Sequence, residues 1–549
     1  MLEPGIWFCL AVFETEIILM RVSFYVIVCV LLLNFKIVHA MIKMPALFGN
    51  DMVLQQDANT PIWGLAEANE QIAVETSWDN SKQHLTAGPD GKWFVKVKTP
   101  KAGGPYNIIV SGQNKINLQN VLIGEVWICS GQSNMGFALN QAANTEEEVP
   151  AARNHQIRFF TIKSSVSSIP EANCNGSWSE CTPETAAQFS AVAYFFGKRL
   201  QKELNVPVGL VQASYAGTPA EAWVGMKALQ AEPDFAPILL RYAKGIADFN
   251  NAQKEHAKEL AQWEEAIKQA SILKKPTPPK PYYLQMDQTG PGHSQSPSGL
   301  YNGMIAPLIP YCIRGVIWYQ GECNAWRAYQ YRKLFPSLIE NWRKEWQQGD
   351  FPFYYVQIAP FNYSIWDTID EPIGPELREA QMMALAIPNT GMAVTMDIGD
   401  INDIHPKNKK DVGDRLARLA LAKTYNRHMV YSGPIYKFMR IEDSNSKTQS
   451  AKAHDKVIRL FFDHADSGLI AKGDNLTCFE IAGEDRTFVS ANALIDGNTI
   501  IVYNNKVKNP VAVRFAWSNT AVPNLFNKDG LPASSFRTDD WPGVTVGRN

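Results

Sequence analysis

The chain has 549 residues, 46% of them hydrophobic and 19% charged, with 52 lysines and arginines against 54 aspartates and glutamates. This composition is globular rather than disordered, and the length calls for two or three domains. A formal net charge of -2 removes the basic excess of a nucleic-acid binder and any acidic solvating arm. The 15 tryptophans suit either large cores or stacking surfaces for sugars, whose C–H faces pack on aromatic rings.

In chain order, residues 1–19 carry three glutamates and do not read as the basic start of a leader. Met20 begins a better one. Arg21 supplies the charge, Val22 to Leu33 are mostly apolar, and "VHA" ends at Ala40 in a small-residue cleavage pattern. The expectation is therefore a start at Met20, a signal peptide ending at 40, and a secreted or periplasmic protein. No later run of 18 apolar residues follows, so no membrane span is expected in the mature chain.

From 41 to 119 the pattern has period two, in "IAVETSW", "WFVKVKT" and "YNIIVSG", with the turn signal "GPDGK" among them. This predicts a small antiparallel β domain. From 120 to 429 buried-strand patterns alternate with helical ones. The strands are "VLIGEVWIC", "VPVGLVQAS", "RGVIWYQGE", "FPFYYVQIAP" and "TGMAVTMDIGD". The helices are "AAQFSAVAYFFGKRLQKEL", with Phe189, Val192, Ala193, Phe196, Leu200 and Leu204 on one face, and "KKDVGDRLARLALAKTY". Alternation of this kind predicts an α/β core on a parallel sheet, with function at the carboxyl ends of the strands. Residues 226–282, a polar helix and a Pro-rich connector, read as an insertion. From 430 to 549, "KVIRLFFDHA", "LTCFEIAG", "NTIIVYNN" and "PVAVRFAW" predict a second β-rich region.

Eight cysteines include Cys174 and Cys181, close enough in sequence for a small disulfide loop in an oxidising compartment. There is no Cys-x-x-Cys and no Cys/His cluster, so neither a zinc site nor another metal is expected.

Four strands end in polar clusters: "SGQSNM" with Ser133, "QASYAGTPAEAW" with Gly217, "WYQGECNAW" with Gln320, Glu322 and Asn324, and "DIGDINDIHP" with Asp397, Asp400, Asp403 and His405. One such end is only a turn. Four in one sheet supply the parts that acyl transfer requires. A serine hydroxyl needs a neutral imidazole to take its proton, and a carboxylate to orient that imidazole. The developing oxyanion needs N–H donors, each worth roughly 3–4 kcal/mol in the transition state. Gly217 can bring a backbone N–H close without a side chain, and Gln320 and Asn324 carry amides.

"GEVWICSGQSNM", "ASYAGTPAEAW", "GVIWYQGECNAW", "DIHPKNKKDVGDRLA", "FEIAGEDRTFVSANALIDG" and "NLFNKDGLPASSFRTDDW" together resemble the sialate O-acetylesterase family of SGNH (GDSL-like) hydrolases. The resemblance covers almost all of 41–541. It implies a flavodoxin-like, three-layer α/β/α core with β regions at its N- and C-terminal sides. It also implies removal of O-acetyl groups from carbohydrates without a metal or other cofactor. Residue by residue, Ser133 matches the nucleophile and His405 the base. Ser133, Gly217, and Gln320 or Asn324 match the oxyanion donors. The orienting acid is Asp403, with Asp400 and Asp397 as alternatives, because Asn402 stands where the superfamily places its Asp three residues before His. Gln132 and Glu322 are expected to brace the site. Arg327 is a candidate for a sugar carboxylate. "KNKK" at 407–410 reads as a solvated helix start.

The reading is an exported esterase acting on O-acetylated sialic acids. A plant-polysaccharide acetylesterase, acting on xylan for example, needs the same machinery. A glycan-binding protein without turnover and a peptidase are further alternatives. The intact Ser133/His405 pair argues against the former, and the esterase motifs against the latter.

Overall fold

The computed structural model describes residues 41–281, 292–366, 370–443 and 456–548. The expected leader at 1–40 lies outside the described residues.

The core is built on seven strands: β1 (Lys115–Gly131), β2 (Asn154–Thr161), β3 (Trp178–Cys181), β4 (Val208–Ser214), β5 (Gly315–Tyr319), β6 (Phe353–Val356) and β7 (Thr390–Ala393). Their order is β7-β6-β5-β1-β4-β2-β3. All neighbours are parallel except the β2/β3 edge pair. The last eleven residues of β1 are buried, which is why they read as a continuous apolar run.

Alternate residues of these strands enter two apolar clusters. Trp127, Cys129, Leu210, Ile317, Tyr319 and Tyr354 pack with α1 (Ala191–Leu204) and with the last core helix (Lys409–Lys423). Val126, Ile128, Val211, Trp318, Phe353 and Tyr355 join the cluster of the long helix that follows β5 (Ala328–Trp346). Trp318 sits edge-on to both Trp223 and Trp342. Fully burying one such ring is worth about 2–3 kcal/mol.

The first half of β1 pairs antiparallel with Gly103–Ser111 of the N-terminal β region, and its second half joins the parallel sheet. The strand therefore runs unbroken through position 119/120. The predicted helix over 186–204 is two helices, Pro183–Gln188 and α1. They part at Ser190, whose Oγ caps Ala193 N and donates to Met135 O at 2.6 Å. The polar insertion helix, α2 (Ala236–Ile272), is longer than its sequence pattern, and it buries only Ile238 and Gly245.

The C-terminal region holds two four-stranded sheets. It is tied to the core through α3 (Ala328–Trp346) and α4 (Ile373–Met383). Buried Glu376 of α4 accepts from Thr545 N at 3.1 Å, and buried Arg378 donates to Ser518 O at 2.8 Å. The six cysteines among the described residues are free. Cys174 and Cys181 do not close a loop: the Cys181 thiol points at Ala152 O, and burial pushes both thiols up to about 11.

Candidate functional site

β1 is the point where the strand order reverses, with β4 on one side and β5 on the other. Ligands of open parallel sheets gather at the carboxyl ends of such strands. There β1 ends at Gly131, whose backbone lies so close to β5 that a Cβ would stand 2.1 Å from Tyr319 O, at φ +142°. Only glycine fits this approach. Gln132 N then donates to Tyr319 O at 3.0 Å, and a short helical turn, Ser133–Gly136, begins. Ser133 is its first residue, and it lines a cleft of about 940 Å³.

The other half of the site comes from the segment between β7 and α5 (Lys409–Lys423). Two Asx turns shape it: Asp400 Oδ1 accepts from Asn402 N at 2.9 Å, and Asp403 Oδ1 from His405 N at 2.9 Å. Asn408 then caps α5 by accepting from Asp411 N. This brings His405 Nε2 to 2.8 Å from Ser133 Oγ, across 272 positions of sequence. The Phe137 ring stacks beside the imidazole, with centroids 6.4 Å apart. Burial, and next the positive charge of Lys409, hold the imidazole below its ordinary value, with Asp403 opposing. A neutral ring is the form that can take a proton from serine.

Of the three candidate acids, Asp403 is the one beside His405, at 3.7 Å from Nδ1. Asp397 is held in a two-pronged ion pair by Arg415, at 2.7 and 2.8 Å. Asp400 serves the turn. Asn402 is exposed.

Gly217, on the loop after β4, has φ +66° with open space where a Cβ would be, and its neighbours Tyr215 and Ala216 line the cleft. Gln320 is completely buried. Its amide nitrogen faces Thr218 O and Asn324 Oδ1, and its carbonyl accepts from Tyr331. These bonds leave Gln320 no N–H for an oxyanion, contrary to the expectation. Asn324 gives one N–H to Glu221 Oε2 at 2.9 Å. Arg327 does not line the cleft. With Arg241 it pairs to buried Glu221 in a separate pocket of about 150 Å³. Gln132 Oε1 accepts from Gly321 N at 3.4 Å.

Two residues of the site carried no signal. Asn134 Nδ2 donates to Glu322 Oε1 at 2.6 Å and to Ile404 O at 2.9 Å, while Asn134 Oδ1 accepts from Lys409 Nζ at 2.5 Å. Lys409 is fully buried over the rings of Phe137 and Tyr319. The run "KNKK" is thus solvated at Lys407 and Lys410 but not at Lys409. Burial pushes the Lys409 ammonium down to about 7 and the Glu322 carboxyl up. Among the described residues no group of His, Cys, Asp and Glu could hold a metal ion.

A serine–imidazole contact at the switch point of a parallel sheet is an arrangement found among α/β hydrolases. The comparisons agree with that class. A family model described as carbohydrate esterase, sialic acid-specific acetylesterase, matches residues 293–422. A solved carbohydrate acetylesterase from Xanthomonas citri is 35% identical, superposes with a TM-score of 0.74, and is covered completely by 91% of this chain. The sialate O-acetylesterase of Rattus norvegicus is 29% identical over 79% of this chain and 80% of its own length. That of Homo sapiens is 28% identical over 90% and 92%. The chain belongs to the carbohydrate acetylesterases.

Proposed function

We propose that the protein removes O-acetyl groups from sialic acids by serine acyl-enzyme catalysis, after export through a signal peptide at the N-terminus. The observation that carries the reading is the 2.8 Å contact between Ser133 Oγ and His405 Nε2, both of which line the cleft. The core is read as a three-layer α/β/α hydrolase spanning 120–429, with β regions at 41–119 and 430–549.

Ser133 Oγ attacks the acetyl carbonyl carbon as its proton passes to His405 Nε2. Asp403 steadies the imidazolium. The N–H groups of Ser133 and Gly217 face the oxyanion, with the remaining N–H of Asn324 as a third donor. Collapse of the tetrahedral intermediate expels the sugar oxygen, which takes the proton from Nε2. Water then attacks the acetyl-serine with Nε2 as base, acetate leaves, and the Ser133 hydroxyl is restored.

Lys407 lines the same cleft with Phe137 and Tyr215, which supports an anionic sugar: the ammonium meets a carboxylate while the rings cover C–H faces. Acetate release from 9-O-acetylated sialic acid and from acetylated xylan, with Ser133→Ala as control, tests the reading. Release from the sialate alone, lost in the variant, is expected. Release from xylan alone would keep the chemistry and replace the substrate.

A further inference from the structure

Nothing in acyl transfer itself requires an ammonium buried behind the base, yet Lys409 is fully buried there. Its Nζ donates to Asn134 Oδ1, and Asn134 is the residue next to Ser133. The same amide reaches in two other directions. One bond goes to Glu322 on the turn after β5, and the other to the carbonyl of Ile404, the residue before His405. Asn134 therefore ties the nucleophile turn to the loop that carries the base, and Lys409 and Glu322 hold its carboxamide from opposite ends. Reversing the amide would set its NH₂ against the ammonium and its carbonyl against Ile404 O. The lysine thereby fixes which way Asn134 faces.

We propose that Lys409 is a positioning residue for the Ser133–His405 pair, acting through Asn134 and through its charge on the imidazole. This rests on the reading of Ser133 as nucleophile and His405 as base. The charged and titratable groups around the ammonium are Glu322 and Tyr319 from the β5 side, and Asp403 and His405 from its own loop. Glu322 and Asp403 favour the charged lysine, and burial opposes it. Glu322 joins the network through Oε1, which accepts from Asn134 Nδ2. As long as the lysine is charged it disfavours imidazolium and keeps His405 ready to accept a proton.

The test is the pH profile of kcat/KM on p-nitrophenyl acetate for the wild type, Lys409→Met, Lys410→Met, Asn134→Ala and Ser133→Ala, with Tm for each. Methionine fills the space of the lysine stem without charge. The acid limb of Lys409→Met is expected to move up by about half a pH unit or more. Lys410→Met, which removes a neighbouring exposed charge, is expected to keep the wild-type limb. Asn134→Ala is expected to lose about tenfold or more in kcat, with KM nearly unchanged, because the pair loses its registration. A Lys409→Met variant that keeps the wild-type limb, or an Asn134→Ala variant that keeps its kcat, overturns the assignment. A Lys409→Met chain that does not fold overturns it as well, since the lysine would then serve the fold. Activity surviving in Ser133→Ala would instead overturn the reading of the nucleophile, so the two failures are told apart.

Discussion

Replacing Asp403 by alanine measures how much an orienting acid contributes when it is only half buried. Its Oδ1 lies 3.7 Å from His405 Nδ1, beyond a good hydrogen bond, and its side chain is 49% exposed. At the dielectric of water, the attraction between unit charges at this separation is about 1.1 kcal/mol, and exposed pairs measure about that or less. The bond from His405 N to Asp403 Oδ1 adds about 1 kcal/mol through the shape of the loop. The sum, about 2 kcal/mol, predicts a loss of roughly 30-fold in kcat/KM. An acid buried against its imidazole is worth about 10⁴ in kcat in the serine proteases. The assay is initial-rate acetate release at pH 7 from saturating and limiting substrate, with Tm as the control for folding. A loss of a thousandfold or more would refute the reasoning, because it would mean that Asp403 closes onto Nδ1 during turnover.

Because burial and Lys409 hold the imidazole below its ordinary value of 6.5, and the neutral ring is the base, activity should persist below that pH. The acid limb of kcat/KM is expected under 6.5, and a limb above it would contradict the direction of the shift. Asp397→Ala leaves Arg415 buried without its carboxylate, so it should cost about 3 kcal/mol of stability by urea unfolding. The folded fraction should keep its turnover, whereas a catalytic loss without a stability loss would make Asp397 the orienting acid.

The sequence was most legible where chemistry is local. The end of β1 had to turn polar within two residues of Cys129, and the apolar run before it announced a strand buried on both faces. The separate patterns around Ser133, Gly217, Glu322 and His405 pointed to one edge of one sheet, since parallel strands collect their carboxyl ends there. What pattern could not carry was the pairing between distant side chains. Asn134 reads as a turn residue because its three partners lie 188, 270 and 275 positions away. Lys409 reads as solvated because lysines flank it, and only the packing of α5 onto Phe137 and Tyr319 hides it. The edge strands β2 and β3 escaped because "NHQIRFFT" and "WSEC" are short and mixed in polarity. Gln320 looked like a free amide donor, and only the positions of Thr218, Asn324 and Tyr331 show its hydrogen bonds to be spent inside the fold.

The most direct test of the central claim is to treat the protein with a fluorophosphonate, which captures an activated serine, and to map the adduct by peptide mass spectrometry. A single adduct on Ser133, formed in step with the loss of acetate release and abolished in His405→Ala, is the expected result. Full activity with no adduct, or inactivation with the adduct on another residue, would contradict the assignment of the Ser133–His405 pair as the catalytic centre.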